Sequence, residues 1–561
     1  MKRTLTVTLS ILAISTLSML AAKKEYGEDY FGLGAKGGEA MDLALKAKSD
    51  MVTGAALGAC LTSKGAAKEQ ADFIEKVAKR PGMLHRACIS VSAHCNVPEV
   101  VEALNAKAGN KQLAATILAA RAMTTYLFDE RTSATVYKQP DPTVEGAAQI
   151  KNLGVRGARG GKKGQVTNIP ADLFADPTSA EMAIIAAAYG AVAGAKEQVN
   201  STKDLPAYAG AKLLFAARTG EALPEEKVKE LFSQAVAATR PISTVAGDLA
   251  KNYLYVPGAA AASEALGIIK DPKYLPLLYQ AILNTDFRTQ VAAARAITAI
   301  GSPDSIPTLL SVVPRCPWPT LIEVCNALGA MPDKQSIPVL ISRLKPDKGR
   351  MRLDLTYALS CIAGNQEGFT GEDWDKWWKA NEASFAVDPE KSKAFRAATR
   401  VQDVQIPSWG SFYSLPVYSD HMAFVLDTSL SMGGPRIANL KKTMNDVLET
   451  LKVEIVSYNI VNYGGEITMM SPAALIKNKD AGQQWVYDMY LTGGTRSFDA
   501  MEKAERFSPI DSIYFLSDGA PTPGELVGQW EDIRETMALI HRYRQVAIFC
   551  VDFDPSAGNQ K

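Results

Sequence analysis

The stretch Met422–Ser431 reads MAFVLDTSLS and decides the fold class of the C-terminal part of the chain. Its opening run is wholly apolar, which is typical of a strand buried on both faces of a parallel sheet. The strand is predicted to end at Asp427, with the hydroxyl side chains of Ser429 and Ser431 just beyond it. A carboxylate and two hydroxyls are hard oxygen ligands of the kind that Mg²⁺ prefers. The stretch therefore predicts a strand that carries a metal site at its carboxyl end.

Further strands and helices alternate after this first strand. Apolar positions at helical spacing predict a helix over 437–451 and a shorter helix over 483–489. Apolar runs predict additional strands at 453–458, 466–470, 512–516 and 545–551. This alternation is typical of an α/β doubly wound, Rossmann-like domain with a mostly parallel sheet.

Two more oxygen side chains follow later elements of the same region. Thr495 comes after two glycines, and Asp518 follows the end of a predicted strand. Ligands of doubly wound sheets bind outside the carboxyl ends of the strands, where these side chains can converge on Asp427. Each also has a plain structural interpretation, because Ser429 and Ser431 can cap a helix and the other two residues can form turns. We favour a metal site because all five occur in order, each at a strand or loop end.

Residues 413–561 together resemble a von Willebrand factor A domain with its metal-ion-dependent adhesion site. The resemblance implies direct or water-mediated Mg²⁺ ligands, with Mn²⁺ or Ca²⁺ as substitutes, and a mainly water-mediated role for Asp518. Neutral hydroxyls leave much of the ion's charge uncancelled, so it can accept an Asp or Glu carboxylate from a protein partner. The implied metal ligands are Asp427, Ser429, Ser431, Thr495 and Asp518.

The C-terminal end departs from this family pattern. The family continues with at least one more helix after the strand that ends at Val551, whereas the sequence stops at Lys561. We therefore expect either a trimmed domain or a fragment that lacks the final helix.

The region before this domain repeats itself at a fixed interval of 31 residues. Each repeat has an alanine that allows close helix approach and a proline suited to the first turn of a helix. Helix pairs that cannot bury their faces singly stack into a solenoid, and this array resembles HEAT repeats of the short bacterial type. The recurring pairs are Ala265-Leu266, Ala296-Ile297, Ala327-Leu328 and Ala358-Leu359, with Leu275-Pro276, Ile306-Pro307 and Ile337-Pro338.

The predicted organisation is thus multidomain. Trp374, Trp377 and Trp378 lie on one helical face, which favours a capping helix at the end of the solenoid over a ligand-stacking platform. The predicted boundaries are 1–22 for a signal peptide, 23–250 for an α-helical repeat-like domain, 251–383 for the HEAT-like repeats, 384–412 for a linker and 413–561 for the von Willebrand factor A domain.

The N-terminus has the composition of an export signal. A basic head, Met1-Lys2-Arg3, precedes the uncharged run 4–20, and Ala21-Ala22 supplies small residues for cleavage. We favour cleavage and a periplasmic or secreted protein of the cell envelope, with membrane association only if the segment is retained. The basic, glycine-rich run 154–164 is interpreted as a solvated loop rather than as a contact for an anionic partner.

Charge, cysteines and histidines exclude several classes of function. A net charge of +1 gives no electrostatic reason to propose nucleic acid as a partner. The seven scattered cysteines indicate core residues rather than a disulfide framework, with one inter-helix bridge left open. Spacing at His85, Cys88 and Cys95 does not fit structural zinc, and His421 is interpreted as a surface residue. No nucleophile–base pair is suggested, so we expect no enzyme activity.

Three functional hypotheses remain at this point. The first is an exported, non-enzymatic adhesion or scaffold protein whose metal ion binds a partner carboxylate. The second is a non-catalytic subunit of an ATPase or chelatase complex, a role that similar domains serve. The third is a structural solenoid with an idle metal site.

Overall fold

The computed structural model describes residues 37–46, 65–78, 206–239, 256–519 without 473 and 508, and 541–552, together with a few single positions. The predicted signal peptide and the basic, glycine-rich run lie outside the described residues, as do His85, Cys88 and Cys95. Within the described ranges, no helix is long and apolar enough to cross a bilayer.

Paired helices form the first part of the fold. Helices α1 (Gly38–Lys46) and α2 (Ala67–Ala78) pack against each other, and so do α3 (Tyr208–Thr219) and α4 (Glu225–Ala238). The repeat array follows as α5 (Gly258–Ile269), α6 (Leu275–Ile282), α7 (Phe287–Ile300), α8 (Ile306–Val312), α9 (Trp318–Ala330), α10 (Ser336–Leu344), α11 (Met351–Ala363) and α12 (Gly371–Asn381).

Small residues let the inner helices of the array approach closely. The repeated alanines of α5, α7, α9 and α11 are all buried. A Cβ placed on Gly267 of α5 would lie only 3.0 Å from the Cα of Ala296 in α7. Pro276 and Pro307 stand in the first turns of α6 and α8, where a missing N–H costs nothing. The solenoid predicted from the 31-residue repeat is therefore confirmed.

The tryptophans of α12 close the array. Trp374 and Trp378 are buried in the solenoid core, and Trp377 packs edge-on against Phe385 with ring centroids 5.4 Å apart. Thr370 caps the helix reciprocally with Asp373. The tryptophans pack as a capping helix, as we predicted.

The segment expected to be a linker contains regular structure. Helix α13 (Pro389–Ala398) packs on α11, where the ring of Tyr357 meets Phe395 at a centroid distance of 6.4 Å. Asp388 caps this helix through the backbone N–H groups of residues 390 and 391. Its mostly exposed surface explains why the sequence shows few periodic apolar residues there.

The C-terminal domain is an α/β sheet domain. Its five-stranded sheet has the order β5-β4-β3-β6-β7, in which only β5 is antiparallel to its neighbour. A short hairpin precedes the sheet, and described helices connect β3 to β4 and β5 to β6. The elements are β1 (Ser411–Phe412), β2 (Leu415–Pro416), β3 (His421–Asp427), α14 (Pro435–Thr450), β4 (Ser457–Tyr463), β5 (Ile467–Met469), α15 (Lys479–Asp488), α16 (Ser497–Glu505), β6 (Ser512–Ser517) and β7 (Ala547–Asp552).

Two details of this domain differ from our predictions. The strand expected at 453–458 begins only at Ser457, because residues 452–456 form a turn. The pattern was misread because β4 contains Asn459, whose buried amide donates to the carbonyls of Ser471 and Ala474. Helix α16 was not predicted, since its buried face includes acidic residues as well as apolar ones.

Side chains from alternate positions of β3 enter two separate cores. Met422, Phe424 and Leu426 pack with α14 on one face of the sheet. Ala423 and Val425 enter a second core on the other face, which contains buried side chains of α16 and also of α1 and α2. N-terminal helices thus contribute to the apolar core on that face.

The solenoid meets the domain through the residues that precede β7. The Nη2 atom of Arg542 lies 3.0 and 2.8 Å from the carboxylate oxygens of Glu264 in α5. The side-chain amide of Gln545 donates to Glu323 of α9 at 2.7 Å. Arg350, before α11, donates to the backbone carbonyl of Gln545 at 3.1 Å. These contacts attach the amino edge of the sheet to the inner helices of the solenoid.

Candidate metal site at the carboxyl edge of the sheet

The predicted ligands lie at the point where the order of the sheet reverses. From β3 the chain passes to β4 on one side and later returns to β6 on the other. The crevice between the carboxyl ends of β3 and β6 is the usual ligand position in such sheets. Asp427 ends β3, and Asp518 follows the last residue of β6.

Asp427 lies at the base of this crevice and is fully buried. Its Oδ1 accepts the backbone N–H of Ser429 at 2.8 Å, and its Oδ2 accepts the Ser517 hydroxyl at 3.2 Å. Burial raises the pKa of the Asp427 carboxyl, an effect that the hydrogen bonds from Ser429 oppose. A carboxylate removed from water in this way gains more from a bound cation than an exposed one does.

A line of oxygen atoms crosses from β3 to β6 above Asp427. The hydroxyls of Ser429 and Ser431 lie 2.8 Å apart. The Ser431 hydroxyl in turn donates to Oδ1 of Asp518 at 2.8 Å. Ser429 is buried whereas Ser431 is exposed, so the site opens to solvent on the Ser431 side.

Thr495 belongs to a neighbouring loop that is fixed to the same edge. The backbone N–H of Thr492 donates to the carbonyl of Thr428 at 2.8 Å, which joins this loop to the one that bears the serines. The N–H of Arg496 donates to the carbonyl of Gly464 at 3.2 Å, just past the end of β4. Thr495 is buried between these two anchors. The structure thus brings Asp427, Ser429, Ser431 and Asp518 together and places Thr495 on the adjoining loop.

The donor set fits a hard divalent cation. All the groups are oxygens, and neighbouring ligands of an octahedral Mg²⁺ are about 2.9 Å apart, given bonds of about 2.0–2.1 Å. The separations of 2.8 Å along Ser429, Ser431 and Asp518 are hydroxyl hydrogen bonds, and they already hold these oxygens at a spacing compatible with such a shell. Among the described hydrogen bonds, the Asp427 carboxylate accepts only from a serine hydroxyl and from backbone N–H groups. It therefore adds a charged oxygen to the donor set. These residues would hold the ion and leave room for an external ligand.

A cationic side chain that the sequence reasoning missed also reaches the site. The Nη1 atom of Arg436, near the start of α14, lies 2.5 Å from Oδ2 of Asp518 and 3.0 Å from the carbonyl oxygen of Ser431. The carboxylate of Asp518 is almost wholly covered, while a quarter of the Arg436 side chain is exposed. Position 436 gives no signal in the sequence, because its partner lies 82 residues away.

Comparison with known families identifies two regions of the chain. The family model for the von Willebrand factor type A domain matches residues 421–560. The C-terminal region is a von Willebrand factor A domain. A family model for HEAT repeats matches residues 256–323, which corresponds to α5 through the start of α9. The two families that we named from the sequence are therefore confirmed, while the metal-ion-dependent adhesion site stays a prediction.

The von Willebrand factor A domain has a second group of potential metal ligands at the opposite edge of its sheet. Ligand atoms of Asp420, His421 and Asp511 all lie within 4.8 Å of one another. His421 is half-buried and its Nδ1 lies 3.1 Å from Oδ1 of Asp420, so the residue that we interpreted as a surface histidine has a carboxylate partner. The Asp511 carboxylate accepts hydrogen bonds from the hydroxyls of Ser419 and Ser512. A nitrogen and two carboxylates could hold a divalent ion here.

Proposed function

We propose that the von Willebrand factor A domain binds a protein partner through a Mg²⁺ ion held by Asp427, Ser429, Ser431, Thr495 and Asp518. The ion would accept an Asp or Glu carboxylate of the partner, with Mn²⁺ or Ca²⁺ as possible substitutes. The line of oxygen atoms from Ser429 through Ser431 to Asp518 carries this proposal. Domains of this family and HEAT repeats are generally protein-interaction modules, which supports a role in recognition.

The position of the site relative to the solenoid supports this role. The solenoid contacts the amino edge of the sheet through Arg350 and Gln545, whereas the metal ligands lie at the carboxyl edge. Strands of a parallel sheet separate the two edges by the length of the strand. The site therefore faces away from the solenoid contacts that attach the domain.

One apolar side chain stands at the rim of the site. Leu430, between the two serine ligands, has 67% of its surface exposed. An exposed leucine beside a bound cation offers a partner apolar contact next to the charged one. Replacing Leu430 with Asn is expected to weaken partner capture and to leave Mg²⁺ affinity unchanged.

The wider proposal is an exported, non-enzymatic adhesion or scaffold protein of the cell envelope. Its basis is the export-like composition of residues 1–22 and the lack of a nucleophile–base pair in the sequence. The competing hypothesis of a subunit in an ATPase or chelatase complex requires a cytosolic protein. Fractionation that finds the chain in the soluble cytoplasmic fraction with its N-terminal segment retained would favour that competitor.

A metal-dependent capture experiment tests the central claim. Full-length protein immobilised with Mg²⁺ should retain a specific partner from the envelope fraction, and EDTA should release it. The Asp427→Ala variant should capture nothing while keeping the helical circular dichroism of the wild type. The matched control is Asp446→Ala, because Asp446 is an exposed residue of α14 that pairs with Lys442. Equal capture in EDTA would refute the proposal.

A further inference from the structure

The ion pair between Arg436 and Asp518 gives the proposed metal site a cation of its own. Each oxygen of Asp518 has a different partner: Oδ1 accepts the Ser431 hydroxyl, and Oδ2 accepts Nη1 of Arg436. The same Nη1 also donates to the Ser431 carbonyl, so the guanidinium is anchored at two points of the ligand loops. A charge-assisted contact of this kind fixes the position of the carboxylate.

The charges at the site show what this pairing does. Two carboxylates, Asp427 and Asp518, lie at the site, and the guanidinium of Arg436 offsets one of them. A divalent ion bound beside all three groups keeps net positive charge, whereas without the guanidinium the two carboxylates would balance it. Repulsion between the guanidinium and the ion lowers metal affinity, and the uncancelled charge attracts an anion.

We infer that Arg436 is a resident counter-cation of the metal site, which lowers its affinity for Mg²⁺ and leaves the bound ion's charge available to a partner carboxylate. The inference rests on the proposed function and adds a residue that sets the strength of the metal site. It follows from the two anchoring contacts and from the coverage of Asp518, whose charge would otherwise lie unbalanced.

Isothermal titration of Mg²⁺ into the metal-free full-length chain tests the inference. Arg436→Gln should raise the Mg²⁺ affinity roughly tenfold, because a like charge close to the ion is removed. Arg436→Lys should stay near the wild-type affinity, since it keeps the charge and loses only the planar geometry. The gain in Arg436→Gln should shrink in high salt, because part of the Arg436 side chain is exposed.

The control is another arginine–carboxylate pair of the same domain. Arg506 pairs with Glu502 at 2.8 Å, and the Glu502 side chain is as fully covered as that of Asp518. Neither Arg506 nor Glu502 is among the proposed ligands. Arg506→Gln should therefore leave Mg²⁺ affinity unchanged. In EDTA, Arg436→Gln should melt below the wild type, and adding Asp518→Asn should restore part of the loss, because the uncompensated carboxylate is then gone.

The outcomes separate this inference from the proposed function. Equal or lower Mg²⁺ affinity in Arg436→Gln, with normal binding by the wild type, overturns the counter-cation role alone. Equal behaviour of the Gln and Lys variants overturns it too, because the effect would then be geometric. If neither the wild type nor Arg436→Gln binds Mg²⁺, the proposed function itself is contradicted.

Discussion

Arg542 of the von Willebrand factor A domain forms a buried ion pair with Glu264 of the solenoid, across 278 residues of sequence. The hydroxyl of Tyr543 donates to the same carboxylate at 2.7 Å. Both charged side chains are almost fully covered, so the pair is shielded from water and salt. The joint between the two domains therefore has a charged centre as well as apolar contacts.

Replacing Glu264 with Ala should destabilise the protein strongly. The Arg542 charge would remain in the joint without its carboxylate, and breaking a buried pair in this way costs about 3–5 kcal/mol. Urea unfolding followed by circular dichroism should show the midpoint falling. Glu226 in α4 supplies the control, because it pairs with Lys229 on an exposed surface and its loss should cost less than about 1 kcal/mol. Similar losses in both variants would contradict the buried role of Glu264.

Gly267→Ala should loosen the solenoid between α5 and α7. The new Cβ would lie 3.0 Å from the Cα and 3.1 Å from the Cβ of Ala296, so the two helices must move apart. Overpacking of this kind costs about 1–3 kcal/mol. Differential scanning calorimetry should show a lower melting temperature than that of Gly493→Ala, where nothing lies within 4 Å of the added atom. An unchanged melting temperature would mean that α5 and α7 can accommodate the added methyl group.

Asp427→Asn should abolish stabilisation by Mg²⁺. The wild type should melt at a higher temperature with Mg²⁺ than in EDTA, because an ion that binds only the folded chain stabilises it. The variant loses the buried charged ligand, so its two melting curves should coincide. The exposed Asp446→Asn variant should respond to Mg²⁺ as the wild type does. A retained Mg²⁺ response in Asp427→Asn would place the ion elsewhere.

Asp511 should make the stability of the domain depend on pH. Burial raises the pKa of its carboxyl from 3.8 to about 6, against hydrogen bonds from Ser419 and the charge of Arg350. Because the folded pKa lies above the unfolded one, the contribution of this group is fully present below about pH 4 and is lost as pH rises through about 6. The loss is on the order of 3 kcal/mol at neutral pH.

The Asp511→Asn variant isolates this effect. Asparagine keeps an acceptor oxygen for the serine hydroxyls and carries no charge. The variant should therefore gain stability over the wild type at pH 7.5 and lose that advantage at pH 4. The charge of Asp511 also helps to raise the pKa of His421, so the same comparison in a His421→Gln background separates the two titrations. A constant difference across this pH range would contradict the raised pKa.

The sequence allowed the architecture to be predicted where local patterns follow the fold. The 31-residue repeat revealed the solenoid because each helix pair places its alanine and proline at equivalent positions. The run before Asp427 revealed the central strand because it is buried on both faces. Strand β4 was misplaced since Asn459 buries a polar amide, and α16 was missed since its buried face includes Asp499, Glu502 and Glu505.

The convergence of the proposed ligands on one edge of the sheet could be predicted because each follows a strand or loop end in a parallel sheet. The remaining features depend on pairs that are distant in the chain, such as Arg436 with Asp518 or Arg542 with Glu264. The same holds for Asp511, which joins Asp420 and His421 only when β6 lies beside β3. No spacing rule in a single sequence indicates such contacts.

The attachment of the solenoid to one edge of the sheet has a mechanical consequence. A partner pulling on an ion at Asp427 and Asp518 would load β3 and β6 along their own length. The tension would pass down the backbone of β3 to Asp420, which abuts Gly349, and from β6 through its hydrogen bonds to β7 and so to Gln545, which Arg350 holds. When parallel strands are pulled along their length, the hydrogen bonds between them are loaded in shear and share the force. The domain is thus mounted to bear traction rather than to be peeled open one bond at a time.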